Sequence, residues 1–164
     1  MSDIASAKEL FLKYNGSYYL MSREGVLDLY KAFNIPKALE QSWLDEEVLR
    51  HLEKIRNNEC EKVTEFDNLC SAVRKSGNAG RMQEVTDVFC DVIKDKYDDD
   101  AVYAIEIMCE TMRFFLVEKK PVKKEMYELL SILEEYRLKY TGSGRKISHR
   151  FDKILDNFKQ LPVS

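Results

Sequence analysis

The sequence predicts an all-α fold: a single-domain bundle of about eight helices over residues 1–164, with a short armadillo/HEAT-like stack as the rival packing. Three observations predict it. Apolar residues recur at helical spacing along almost the whole chain. The breaks between those runs are short and carry residues that stop helices, at Asn15-Gly16, Pro36, 76–80, Pro121 and 141–146. The composition, 45% hydrophobic and 11% aromatic over 164 residues, suffices for a buried core without a staple. The stretches near 76–80 and 141–145 are expected to be flexible breaks.

The first helix carries Ile4, Ala7, Leu10, Phe11 and Tyr14 on one stripe, with Ser2 or Asp3 as its cap. Asn15-Gly16 supplies the left-handed residues at which a helix stops. The same dipeptide is a hairpin signal that would pair residues 10–14 with 17–21. Ala5, Ala7, Lys8, Glu9 and Leu10 carry the helical period into that supposed strand, and an isolated hairpin is marginal without a sheet. Residues 13–33 therefore read as a joint. A helix stops, a short extended crossing tucks Tyr18, Leu20 or both under the bundle, and a helix capped by Ser22 carries Val26, Leu27, Leu29, Tyr30 and Phe33.

Pro36 opens the next helix, with Leu39, Trp43, Leu44, Val48, Leu49, Leu52 and Ile55 on its apolar side and an end near Asn57-Asn58. A shorter helix over about 64–74 turns Phe66, Leu69, Cys70 and Val73 inward, and residues 76–80 stop it. Met82, Val85, Val88, Phe89, Val92 and Ile93 define another helix. Tyr97 and the three acids after it form a loop and cap, where acids suit the helix dipole. Residues 101–117 are the most apolar of the chain, and a helix apolar around most of its circumference sits centrally. Val122, Met126, Leu129, Leu130, Leu133 and Tyr136 mark the seventh helix, and Ile147, Phe151, Ile154, Leu155 and Phe158 the last. No residue pattern recurs at a fixed period, which favours the bundle over the stack.

The charge is unevenly placed. Residues 61–118 hold 7 Lys/Arg against 13 Asp/Glu, and residues 119–164 hold 11 against 6, within a net charge of −3. Two halves of opposite sign can face each other in the fold or in a homodimer, or mark a charged partner. Cys60, Cys70, Cys90 and Cys109 form no CxxC pair, so they read as reduced thiols of a cytoplasmic protein rather than zinc or redox ligands. No apolar run approaches the ~18 residues of a membrane span, and Met1-Ser2-Asp3 does not open a signal peptide.

Few residues carry recognisable chemistry. His51 and His149 are the two histidines; His51 lacks the Glu-x-x-His partner of di-iron bundles because position 48 is valine. Glu47 and His51 share a helix face, as do Glu106 and Glu110. No metal, no cofactor and no catalytic set is expected. Gly77-Asn78-Ala79-Gly80 has the Gly-x-x-Gly form that clamps nucleotide backbones in KH domains, but that fold needs a sheet. The run from Thr141 to Lys146 lacks the spacing of a phosphate-binding P-loop.

The expected function is that of a non-catalytic cytoplasmic protein-interaction module, an adaptor, inhibitor or regulator. It would bind a protein partner through a helical surface or groove, with Tyr18, Tyr19 and Trp43 as candidate contacts. Tyr97 and Tyr103 are further aromatics that need not be core. The first alternative is a nucleic-acid-associated regulator using Arg137, Lys139, Arg145, Lys146, Arg150 and Lys153, although the chain's pI of about 5.6 speaks against a dedicated binder. The second is an enzyme of unrecognised type, which requires His51 or His149 to lie in a cleft with carboxylates or a cysteine.

Overall fold

The computed structural model describes residues 3–139 and 145–160, with residues 145–151 described by their backbone alone. The predicted cap Ser2 and the break at 141–144 lie outside the described residues. Among those residues there is no strand, and nine α-helices occupy most of the chain.

Helix α1 (Asp3–Lys13) buries Ala7 and Phe11. It stops at Asn15 and Gly16, both left-handed with φ of 54° and 69°. The Gly16 amide donates to the Phe11 carbonyl at 2.9 Å, satisfying an acceptor that the helix end leaves open. The hairpin signal is thus a helix stop.

The predicted extended crossing is corrected: residues Tyr18–Arg23 form a short helix, α2. Ser17 caps it, its hydroxyl accepting from the Leu20 amide at 3.2 Å, and no glycine or proline interrupts the run to Arg23. Met21 is therefore the side chain carried under the bundle, fully buried, while Tyr18 keeps 45% of its surface exposed. Gly25, left-handed at φ 76°, separates α2 from α3 (Leu27–Lys31). Val26 rather than Ser22 precedes that helix as its cap, with no side-chain bond.

Helix α4 (Lys37–Arg56) follows Pro36, which stands at the cap position in extended conformation. Its first half lies under α1–α3, where Trp43 and Leu44 join Ala7, Phe11, Met21 and Tyr30 in one apolar cluster. Its second half enters a larger cluster through Val48, Leu52 and Ile55. Helix α5 (Lys62–Ser76) outruns its predicted bounds at both ends. Glu61 caps it by accepting from the Val63 and Thr64 amides at 3.3 and 2.7 Å, and Gly77 closes it in the left-handed region.

A 3-10 turn (Ala79–Arg81) leads into α6 (Met82–Ile93), followed by α7 (Asp99–Val117), α8 (Lys123–Lys139) and α9 (Arg145–Lys159). Asp98 caps α7 by accepting from the Ala101 amide at 3.1 Å. Helix α7 packs against α5, α6, α8 and α9, as its apolar circumference predicts. The largest helix pair is α4 with α5. These contacts do not establish a stack of repeated pairs. Among the described residues no helix is long and apolar enough to cross a membrane.

Candidate functional site

The three predicted partner-binding aromatics have different fates. Trp43 is only 3% exposed, its ring 5.6 Å from that of Phe11, so it presents no surface. Tyr18 is held by Glu40, a buried carboxylate that accepts from the Tyr18 hydroxyl at 2.6 and 2.7 Å and from the Tyr30 hydroxyl at 2.5 Å. Burial first, and then the carboxylate, push Tyr18 up to about 12 and Tyr30 higher still. Only Tyr19, 74% exposed, stands open.

Of the six predicted basic residues, Arg137 and Lys139 are engaged with acids. The Arg137 guanidinium lies 3.0 Å from Asp152, and Lys139 lies 3.0 Å from Glu135. Lys153 shares a groove with Glu106 and Glu110. The side chains of Arg145, Lys146, His149 and Arg150 lie outside the described residues. Part of the basic half therefore faces acids of its own fold.

The Gly-x-x-Gly run is a structural clamp. Arg81 grips Asp45 of α4 with two nitrogens, at 3.0 and 2.8 Å, and Glu84 at 3.0 Å. The Asn78 side chain accepts from the Gly80 amide at 3.0 Å and donates to Asp45 at 3.4 Å. The Arg81 hydrogen bonds hold the Asp45 carboxyl below its ordinary range.

Helix α7 buries most of its circumference yet leaves large side chains outside. Tyr103 is 48%, Phe114 36% and Val117 62% exposed. Offsets of 11 and 14 residues at 100° per residue place Phe114 and Val117 within about 40° of Tyr103, on one outward face. Beside that face runs a groove of about 250 Å³ between α7 and α9, lined by Glu106, Cys109, Glu110, Arg113, Lys153, Ile154, Asn157 and Phe158. Tyr103 was among the aromatics marked in the sequence. Phe114 and Val117 were not, because a helix apolar nearly all round gives no sign of which face stays uncovered.

A second cleft, of about 240 Å³, lies between α4 and α5, and Leu12 and Asn15 at the end of α1 border it. Here the apolar seam of the two helices turns polar. His51 is buried, its Nδ1 in a short hydrogen bond with the buried Glu65. Its Nε2 has the Glu47 carboxylate at 3.8 Å, beyond hydrogen-bond length. Arg50 takes up Glu47 at 2.6 Å and holds that carboxyl below its ordinary range. Asn68, Ser71 and Lys75 continue the lining along α5.

The location of His51 meets the condition set for an enzyme, but no serine or cysteine hydrogen-bonds its ring among the described residues. The thiols offer no activated nucleophile there: burial is the leading cause that raises Cys60, Cys70, Cys90 and Cys109 above their ordinary range. No group of three or more His, Cys, Asp or Glu among the described residues is arranged to hold a metal ion.

No family model matches this chain, and neither the curated proteins nor the solved structures contain a significant match to it.

Proposed function

We propose that the protein is a non-catalytic cytoplasmic interaction module that binds a protein partner on the outer face of α7 and the adjoining α7–α9 groove. The observation carrying this reading is the row Tyr103, Phe114 and Val117, exposed on a helix that buries 11 of its 19 residues. Aromatic side chains gain contact area at low entropic cost, so such a row suits the centre of an interface. Glu106 and Glu110 border it, and the segment 61–118 is acidic by 13 to 7. Arg113 and Lys153 line the same groove, so the fitting partner offers apolar side chains to the row, flanked by charges of both signs.

The test is affinity capture of the tagged chain from its host's lysate, with and without nuclease. A discrete protein partner that survives nuclease supports the reading. Nucleic acid recovered with proteins that vanish after nuclease replaces it with the nucleic-acid alternative, and a partner identified as the chain itself replaces it with homodimerisation.

A further inference from the structure

The α4–α5 cleft is costly in its present form. Two long helices share their largest contact along this seam, yet the seam holds a buried imidazole–carboxylate pair where apolar residues would pack. Such a pair seldom stabilises a fold more than apolar residues of equal volume. The pair lies beside an open cavity, where a ligand can use its polar groups.

The cleft is electrically graded. At one end stand His51, bonded to the buried Glu65, and Glu47, with Arg50 committed to Glu47. At the other end stands Lys75, which has no ion-pair partner among the described residues. Lys75 is ten residues from Glu65, about 15 Å along the helix axis, so that acid barely offsets it. Lys75 is an exposed residue, and both the part of its side chain that packs on the fold and the neighbouring Arg74 disfavour its charge, which an anion would relieve. Asn68, Ser71 and Lys75 follow at steps of three and four, so an amide, a hydroxyl and an ammonium group line one face of α5.

We infer that this cleft binds a small molecule through an oxyanion, carboxylate or phosphate, held by Lys75, Ser71 and Asn68, with the ligand's opposite polar end directed at His51 Nε2. The volume admits a metabolite-sized molecule and no folded partner. This inference is independent of the α7 surface.

The experiment is a ¹H–¹⁵N NMR titration of the full chain with inorganic phosphate and, separately, with succinate at constant ionic strength. Saturable shifts at the amides of Asn15, Asn68, Ser71 and Lys75 are expected, with at least about a tenfold loss of affinity in Lys75→Gln, as removal of a charge-assisted contact implies. Lys153→Gln, in the other groove, should bind as the wild type does. Response to phosphate alone or to succinate alone supports the inference and assigns the oxyanion. No response to either, diffuse shifts over all basic surfaces, or unchanged affinity in a folded Lys75→Gln variant overturns it. Ser71→Ala, read in the same way, replaces Lys75→Gln if that variant does not fold.

Discussion

At Gly16 two independent constraints fall on one missing atom. The backbone is left-handed at φ 69°, and a Cβ would stand 2.9 Å from Phe11 Cζ and 3.1 Å from Leu44 Cδ2. Gly16→Ala should therefore cost about 1–3 kcal/mol, by strained backbone plus overpacking. Gly25, at φ 76° with open space around it, carries only the backbone part, so Gly25→Ala should cost about 1 kcal/mol. Urea denaturation of both variants separates the two contributions. Glu40 is a second local constraint, since it holds Tyr18 and Tyr30 together under α1. The folded-state value of Tyr18 is raised to about 12, so its contribution is complete below the ordinary tyrosine range near 10 and is lost as pH climbs toward 12. Trp43, the single tryptophan, lies in the same cluster, so its fluorescence should shift over that window. In Tyr18→Phe the shift should start at higher pH. None of these tyrosine bonds was legible in the sequence, because a carboxylate at position 40 reads as solvated until the fold closes over it.

Among the elements, several boundaries that local chemistry dictates were legible, while the equally local caps Ser17 and Glu61 were not read, and neither was the part set by tertiary packing. The Asn15-Gly16 stop, the Asp98 cap and the Gly77 terminus follow from side chains next to the boundary in sequence. Helix α2 did not. Its residues Tyr18-Tyr19-Leu20-Met21 suit a strand as well as a helix, and the burial of Met21 beside Ala7 and Phe11 belongs to a cluster built from distant residues. The Arg81 clamp likewise joins residues 36 apart. Arg81→Gln should cost about 1 kcal/mol at neutral pH, the scale of a partly exposed bidentate pair. Because Asp45 is held below its ordinary range, the bonus is present above about pH 4 and disappears as pH falls through the folded-state value. Thermal melts of the variant and the wild type should therefore converge in acid.

For the whole molecule, the helical period and the stop residues were enough to specify an all-α fold, since both are local signals. The candidate surfaces were barely legible. The outer face of α7 is defined by what fails to cover it, and the α4–α5 cleft arises where residues 14 apart, His51 and Glu65, meet across two helices. The uneven charge was legible, and part of it is spent internally between α8 and α9, where Arg137 meets Asp152 and Lys159 meets Glu134. Glu106, Glu110, Arg113 and Lys153 line the groove beside the exposed aromatic face, so charges of both signs make association there salt-sensitive. The interaction reading is tested most directly by repeating the nuclease-treated capture with a Tyr103→Asp/Val117→Asp chain that melts as the wild type does. Loss of the partner retained by the wild type is the expected result. Undiminished recovery of the same partner would contradict binding at the α7 face.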